Sequence, residues 1–390
     1  MIRNILSSNG KSLGITDILP QYGEDYRLSV MDGTVDYRTI PLGAYDLFKQ
    51  GYSKQDYLAD IEKIKTMGFN TYQLSFSWTR LFPTGEERRP DAKVLAFYES
   101  IIDALLENDI EPIVSLSHFD FPLHLYEKYG AWKSRQMIAL YEKYCEAVLT
   151  HFKEKVTYWI TFKEMSALSY LPFLGAGLHF DSTENQEQQI WLAAHHQLIA
   201  SANVVKLGQT INPTFQFGSL ITINSDSHQE NHSATDALGH ELNRRKNYIF
   251  TDVQTKGHYP NHFLRYIERN QLDLGITEED VFALREGVVD FIAFSHYAAE
   301  NIQDLFTNKY VRKNVETCLA QPVLLRIAMS ELYERYHKPL LVIETCSEVS
   351  DHPQLAKNIQ DNVQEIIKSV EIDGIELLGY TPFSWSDVNI

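Results

Sequence analysis

Two patterns of apolar residues alternate along this chain of 390 residues. After Ser53, which can cap a helix, apolar residues recur at steps of three and four, as on the buried face of a helix. The members of this stripe are Tyr57, Leu58, Ile61, Ile64 and Met67. Gly68 follows, and the alternation of Tyr72, Leu74 and Phe76 then predicts a strand. The first local unit is therefore a helix that leads into a strand.

Short runs of apolar and β-branched residues predict six more strands further along the chain. These runs are Pro112 to Leu116, Thr157 to Phe162, Phe215 to Ile221, Val289 to Ser295, Pro339 to Ile343 and Ile375 to Tyr380. Helical patterns separate most of them, which favours a parallel α/β fold. No linker or repeat interrupts the pattern, so we expect a single domain over residues 1–390.

Composition and charge narrow the class of protein. The formal charge of −17 argues against binding to nucleic acid or to an anionic membrane. Cys145, Cys318 and Cys346 show no metal-ligand spacing, so we expect free thiols in a reducing compartment. Neither a signal peptide nor an apolar run of membrane-spanning length is visible, and a cytoplasmic protein is the expectation.

Two glutamates end strand-like runs and are the strongest candidates for chemistry. Glu164 ends the run that starts at Tyr158, and Glu344 ends the run that starts at Pro339. In parallel barrels the carboxyl ends of the strands carry the active site. Glycoside hydrolysis needs two carboxyl groups, one to protonate the leaving oxygen and one to attack or to activate water. A structural carboxylate at a strand end is at least as common, so the pair alone leaves both interpretations open.

Longer motifs surround these glutamates. They are Ser75-Phe-Ser-Trp-Thr-Arg-Leu-Phe-Pro-Thr-Gly85, the run from Ile110 to Leu125 around His118, Tyr129-Gly-Ala-Trp132 and Gly379-Tyr-Thr-Pro382. In order and spacing they resemble glycoside hydrolase family 1. Phe250-Thr-Asp-Val-Gln254 and the run from Glu331 to Pro339 make the chain most similar to the bacterial 6-phospho-β-glucosidases of that family. The resemblance implies a (β/α)₈ TIM-barrel fold and hydrolysis without a metal or organic cofactor.

The same resemblance implies that the barrel is incomplete. Family members begin with a Gly-rich strand that supplies a sugar-binding glutamine, whereas residues 1–19 match the loop after that strand. The chain stops at Ile390, before the loop that holds the phosphate in phospho-specific members. We therefore expect the first strand and the closing carboxyl-terminal segment to be missing or replaced. Open strand edges require a cover, either the amino-terminal segment or a second identical subunit.

By the resemblance, Glu164 is the catalytic acid/base and Glu344 is the nucleophile. Lys163 stands where the family has an asparagine that binds the 2-hydroxyl group of the sugar. If its ammonium group faced Glu164, it would favour the ionised carboxylate and oppose proton donation. Thr345-Cys346 replaces the Asn-Gly that follows the nucleophile in the family.

Five more residues match or replace site residues of the family. Gln73 replaces an arginine beside the nucleophile and can donate a hydrogen bond to Glu344 without supplying charge. Tyr297 matches a tyrosine that binds the nucleophile, with core packing as its alternative. His118 matches a ligand of the sugar hydroxyls, although a lone histidine at a strand end is more often structural. Phe383 matches a tryptophan that forms a platform for the sugar, and Trp385 could supply a substitute face.

Other polar and aromatic groups are predicted to be structural. Trp78 and Trp132 are expected in core or rim packing. His195 and His196 lie on a helical pattern with no carboxylate at ligand spacing, so no metal site is expected there. The acidic run after Thr277, Glu278-Glu279-Asp280, predicts a solvated first helical turn.

Two functions stay open at this point. The first is a retaining β-glycosidase that hydrolyses a small β-glucoside or 6-phospho-β-glucoside. The second is an inactive family member that binds a sugar or a protein, or a truncated product. The two glutamates favour the first, whereas Gln73, Lys163 and Thr345-Cys346 favour the second, because function depends on the site rather than on the fold.

Overall fold

Seven parallel strands form one continuous sheet. A computed structural model describes residues 13–20, 24–40, 54–181, 183–226, 244–299, 322–345 and 352–381. The strands are β1 (Thr71–Ser75), β2 (Glu111–Ser115), β3 (Tyr158–Ile160), β4 (Gln216–Asp226), β5 (Phe291–Ala299), β6 (Leu340–Thr345) and β7 (Leu377–Tyr380). Each strand pairs in parallel with the next one along the chain. All seven predicted strands are therefore confirmed, and so is the parallel α/β class.

Helices fill the connections between the strands. They are α1 (Glu24–Met31), α2 (Lys54–Thr66), α3 (Trp78–Leu81), α4 (Ala92–Glu107), α5 (Leu123–Tyr129), α6 (Gln136–His151), α7 (Pro172–Ala176), α8 (Gln186–Ile211), α9 (Ile249–Lys256), α10 (Asn261–Arg269), α11 (Glu278–Glu286), α12 (Pro322–Tyr336) and α13 (His352–Glu371). Short 3₁₀ turns cover Ile15–Ile18, Tyr37–Thr39, Ala131–Lys133 and Met165–Ser169, and a π-helical turn covers Arg244–Tyr248. Within the described ranges, no helix is long and apolar enough to cross a membrane.

The curled sheet has two edges, as expected for an incomplete (β/α)₈ barrel. In the part of the chain that the structure describes, β1 pairs only with β2 and β7 only with β6. Leu74 is the one buried residue of β1, and β7 has none. Leu378 on β7 is exposed. The edge strands are poorly buried because each has a neighbour on one side only.

Apolar side chains pack on both faces of the sheet. Seven of them form the cluster inside the curl: Ile113, Ile160, Leu220, Phe291, Ala293, Leu341 and Ile343. Gly218 adds no side chain there because the ring of Phe291 fills the space, and a Cβ atom would lie 2.3 Å from that ring. A larger cluster fills the layer between the sheet and the helices. Trp78 and Trp132 are buried in this layer, which confirms their predicted packing role.

The helix predicted after Ser53 is present as α2, with one difference on its apolar face. Ile61 and Ile64 are buried, but Met67 is 60% exposed. The prediction was wrong for Met67 because α2 ends at Thr66 and Gly68 turns the chain with a φ of +80°. Ser53, the predicted cap, lies outside the described residues.

The prediction that the acidic first turn of α11 is solvated was wrong for Asp280. Its carboxylate is buried and accepts a hydrogen bond from the backbone N–H of Thr277 at 2.9 Å, in a capping box. The same carboxylate pairs with Arg135 and lies 3.2 Å from Nε2 of His195. Nδ1 of His195 lies 2.9 Å from the hydroxyl of Tyr259. The carboxylate partner of His195 is therefore 85 positions away in sequence, far outside helical spacing.

Asp280 and His195 have pKa values that depend on this pairing. Burial opposes ionisation of Asp280, but hydrogen bonds from Arg135 and Thr277 outweigh it and lower its pKa to about 2. Burial lowers the pKa of His195 to about 4, although Asp280 acts in the opposite direction. At neutral pH the imidazole is neutral, with Nε2–H donating to the carboxylate and Nδ1 accepting from the tyrosine. Among the described residues, no group of three His, Cys, Asp or Glu side chains is placed to hold a metal ion.

Asp280→Asn should destabilise the protein at neutral pH and matter less in acid. A carboxyl group whose folded pKa lies below its unfolded value, about 3.9, stabilises the fold above that value and loses this effect as pH falls. We expect a loss of about 2 kcal/mol in the free energy of unfolding at pH 7. The difference from the unsubstituted protein should shrink between about pH 5 and pH 2.5. Urea denaturation across this range measures both quantities.

The control for this experiment is Glu278→Gln, in the same first turn of α11 but exposed to solvent. This substitution should lower the free energy of unfolding by less than about 1 kcal/mol, since an exposed carboxylate at a helix N-terminus stabilises the fold little. A loss for Asp280→Asn that does not change with pH would mean that the ionised carboxylate is not the stabilising group.

Candidate active site

The carboxyl ends of the strands bring several predicted site residues to one edge of the sheet. Glu164 follows the end of β3, and Glu344 is the penultimate residue of β6. His118 follows β2, and Tyr297 lies in β5. Phe383 and Trp385 lie outside the described residues, as do the side chains of Glu344 and Tyr297. The backbone thus places both glutamates on the edge where barrel enzymes carry their chemistry.

Glu164 has an unusual backbone conformation. Its φ of 58° and ψ of 47° are left-handed, and its carbonyl accepts a hydrogen bond from Ala167 N at 3.0 Å in the 3₁₀ turn that follows. A left-handed residue with a side chain costs about 1–2 kcal/mol. Such a conformation persists only where the surrounding structure holds it, and it often occurs at active sites.

The chain before Glu164 is held by hydrogen bonds that continue beyond the strands. Leu116 N donates to Ile160 O and Lys163 N donates to Ser117 O, both at 2.8 Å. The hydroxyl of Tyr141 on α6 donates to the carbonyl of Thr161. These bonds extend the pairing of β2 with β3 to the residue before Glu164. They fix the direction in which the backbone enters the 3₁₀ turn that follows.

His118 is an uncharged group at this edge. Burial and then the positive charge of Lys163 lower the pKa of His118 to about 3. The Lys163 side chain is itself buried. The charge of Lys163 thus acts on the predicted sugar ligand, which stays neutral at physiological pH. The predicted effect of Lys163 on Glu164 stays a prediction.

Polar side chains lie beyond the apolar cluster inside the curl. Gln73 on β1 donates a hydrogen bond from Nε2 to Ser115 Oγ at 2.9 Å. Its predicted hydrogen bond to Glu344 stays a prediction. Ser295 on β5 is buried, and its Oγ has no hydrogen-bond partner among the residues that the structure describes. A shift in register between β5 and β6 pairs Ser295 with Glu344.

The carboxylate of Asp120, a partly buried residue, is a feature that the sequence analysis missed. It accepts hydrogen bonds from the hydroxyls of Ser77 and Thr79, the latter at 2.6 Å. Burial raises its pKa, and these hydrogen bonds act against that rise. Asp120 thereby joins the loop after β1 to the loop that carries His118. The available signal was a charged residue between two phenylalanines, two positions after His118.

The amino-terminal segment packs against the same loop. Ile15 N donates to Phe121 O at 3.0 Å, and Leu123 N donates to Leu13 O at 2.9 Å. Gly14 lies so close that a Cβ atom would be 2.5 Å from Oδ1 of Asp120. Residues 13–20 therefore support the loop after β2.

The parallel half-barrel, with two glutamates at its carboxyl edge, belongs to a known class of hydrolase. The family model described as "Glycosyl hydrolase family 1" matches residues 43–389. The protein is a member of this family. Three of the four similar proteins described below are named as β-glucosidases or phospho-β-glucosidases.

Similar proteins come from bacteria and from an insect. The chain is 32% identical to aryl-phospho-β-D-glucosidase BglH of Bacillus subtilis, with 100% of this chain and 85% of the relative covered. It is 33% identical to 6-phospho-β-glucosidase AscB of Escherichia coli, with 85% and 74% covered. Among solved structures, a family 1 β-glucosidase from Thermotoga maritima matches with a TM-score of 0.71, 23% identity and coverage of 85% and 77%. Aphid myrosinase matches with a TM-score of 0.74, 21% identity and coverage of 97% and 85%. The structural matches show the shared fold.

The left-handed conformation of Glu164 predicts that the usual order of stability of alanine and glycine variants is reversed at this position. At most positions glycine is the less stable of the two by about 0.5–1 kcal/mol. At Glu164 it should be the more stable, because it adopts this conformation without steric cost; we expect Glu164→Gly to exceed Glu164→Ala by about 0.5–1 kcal/mol in the free energy of unfolding. The matched control pair is Ser369→Gly and Ser369→Ala in α13, where alanine should be the more stable. Urea denaturation compares the four variants, and alanine ahead at both positions would contradict the assignment.

Proposed function

We propose that this protein is a retaining β-glycosidase that hydrolyses β-glucosides or 6-phospho-β-glucosides. The observation that carries the proposal is the position of Glu164 and Glu344 after β3 and within the end of β6, at one edge of a single parallel sheet. Two carboxyl groups at that edge are the machinery of glycoside hydrolysis. Membership of family 1 supports the same reaction.

The reaction proceeds in two steps. Glu344 attacks the anomeric carbon while Glu164 donates its proton to the glycosidic oxygen, so the aglycone leaves and a covalent glycosyl-enzyme forms. Glu164, now a carboxylate, takes a proton from water as the water attacks the anomeric carbon. The bond to Glu344 breaks, and the sugar is released with retained configuration.

The other site residues bind and orient the sugar. The neutral imidazole of His118 can donate to and accept from sugar hydroxyls without fixing a charge in the site. Tyr297 and Gln73 are proposed to donate hydrogen bonds towards Glu344. Phe383 and Trp385 are proposed to supply an apolar face for the sugar ring.

The relatives support a phosphorylated substrate. BglH of B. subtilis and AscB of E. coli are both named for phospho-β-glucosides or 6-phospho-β-glucosides. Each covers most of this chain at about one-third identity. A β-glucoside that carries a 6-phosphate is therefore the first substrate to test, beside the unphosphorylated sugar.

Two observations favour the second function, an inactive member that binds a sugar or protein. Lys163, in the place of the family's asparagine, is buried, and its charge acts on His118. The amide of Gln73, in the place of the family's arginine, donates to Ser115 and carries no charge. Both changes weaken support for ionisation at the nucleophile and for binding of the 2-hydroxyl group.

Hydrolysis of 4-nitrophenyl β-glucoside and of its 6-phosphate tests the proposal. Glu164→Gln and Glu344→Gln should each lower kcat by a factor of about 10³ or more while leaving the unfolding midpoint nearly unchanged. Glu278→Gln, an exposed carboxylate variant, should keep full activity. No turnover by the cooperatively folded, unsubstituted protein would favour the inactive alternative.

Lys163→Asn should increase activity by restoring a group that both donates and accepts hydrogen bonds. The 2-hydroxyl contact strengthens in the transition state, so we expect kcat/KM to rise by roughly ten- to a hundredfold. The gain should be absent with the matching 2-deoxy-β-glucoside, which cannot make the contact. An equal gain with both substrates would assign the effect of Lys163 to charge rather than to the 2-hydroxyl group.

A further inference from the structure

A buried polar cluster lies behind the strand that leads to Glu164. Its members are Thr161, Ser201, Ser219, Thr251 and Gln254, and all five are buried. They come from the residue directly after β3, from α8, from β4 and from α9. The cluster is on the outer face of the sheet and has no part in the reaction steps proposed above.

Gln254 is the centre of this cluster. Its Nε2 lies 2.9 Å from Ser201 Oγ and 3.3 Å from Thr161 Oγ1. Its Oε1 accepts a hydrogen bond from Ser219 Oγ at 2.7 Å. Both ends of the amide are therefore occupied, which fixes its orientation. One side chain on α9 thus links the end of β3 to β4 and to α8.

The helix that carries Gln254 is itself fixed from its other side. Asp252 is fully buried and pairs with the guanidinium group of Arg335 on α12, with Nε 2.9 Å from Oδ1. That guanidinium group also lies over the ring of Tyr248, 4.7 Å from its centre. Asp252 and Gln254 belong to one motif of the sequence analysis and Arg335 to another, so the two motifs meet here. The pair of Asp252 with Arg335 thus holds α9 in place, and α9 positions the side-chain amide of Gln254.

Thr161 transmits this support towards Glu164. Its Oγ1 lies 2.7 Å from Ser201 Oγ, and its carbonyl accepts the hydrogen bond from Tyr141. Two residues later Lys163 N is bound to Ser117 O, and the next residue is the left-handed Glu164. A side chain that starts from a disfavoured backbone conformation needs this support on the preceding residues, because the conformation relaxes when they move.

We propose that Gln254, acting through Ser201 and Thr161, positions the carboxyl group of Glu164 for proton donation to the leaving group. This inference rests on the proposed function, in which Glu164 is the acid. Gln254 touches no reacting atom, so it is a positioning residue. A displacement of about 1 Å of a catalytic group can lower a rate by about a hundredfold, so small changes in the cluster have a measurable effect.

The test uses leaving groups that differ in their need for a proton. Departure of 2,4-dinitrophenolate needs little acid catalysis, whereas departure of phenolate needs much. Gln254→Met and Ser201→Ala should lower kcat/KM for the phenyl glycoside by about ten- to a hundredfold, and for the dinitrophenyl glycoside by less than about threefold. The glycosides carry or lack the 6-phosphate, according to which form the unsubstituted protein prefers.

A matched control separates positioning from loss of stability. Ser369→Ala also removes one buried serine hydroxyl from a helix, on α13, where Oγ donates to Glu365 O at 3.0 Å. This variant should change kcat/KM only slightly, and by the same factor for both substrates. Thr161→Ser keeps the hydroxyl, so its kcat/KM should depend on the leaving group as in the unsubstituted protein. Thr161→Val removes the hydroxyl, so its kcat/KM should not keep that dependence. An equal loss with both substrates in the cluster variants would overturn the proposal.

Hydrogen exchange keeps the inference separate from the proposed function. In Gln254→Met the backbone amides of residues 163–170 should exchange at least about fivefold faster, with no such change in Ser369→Ala. If the unsubstituted protein hydrolyses neither substrate while this acceleration is seen, the proposed function fails and the support of the Glu164 backbone by Gln254 stands. Unchanged exchange in the folded Gln254→Met variant would overturn the inference whether or not the protein is active.

Discussion

Parallel pairing of the strands is the constraint on which the rest of this structure depends. A parallel strand cannot return through a tight turn, so the chain must cross over outside the sheet before it adds the next strand. Each crossover brings the carboxyl end of the next strand to the same edge. Seven strands paired in chain order therefore bring Glu164, after β3, and Glu344, in β6, to one edge although 180 positions (344 − 164) separate them. The candidate site exists because of this rule.

The groups around that edge show how the protein balances charge and strain. His118 is kept neutral by burial and by the charge of Lys163. Glu164 has a left-handed backbone. The chain that leads into it is held by hydrogen bonds at Lys163 N and at the carbonyl and hydroxyl groups of Thr161. Asp120 holds two loops together with a carboxylate whose pKa burial raises. Polar groups removed from water in this way stabilise the fold only when their partners are present, so the edge is sensitive to single substitutions.

Family membership describes the fold of this protein, whereas the departures from the family motifs concern single residues of the candidate site. The fold and the match over residues 43–389 agree with glycosyl hydrolase family 1. By the resemblance, Lys163 and Gln73 depart from the family motifs, and the structure gives each of them an effect or a partner of its own: the charge of Lys163 acts on His118, and Gln73 is hydrogen-bonded to Ser115. A site can thus change its chemistry while the scaffold that positions it stays the same.

The sequence by itself determined the strands, their order and the candidate glutamates. Runs such as Pro339 to Ile343 are apolar throughout because both faces of a central parallel strand are covered, and this signal is local. The sequence did not reveal the end of α2 before Met67, the burial of Asp280, the role of Asp120 or the left-handed turn at Glu164. Each of these depends on partners distant in sequence or on the direction in which a turn sends the chain. Only the tertiary structure decides which distant groups meet, because a buried charge or a disfavoured backbone conformation is stable only next to its compensating partners.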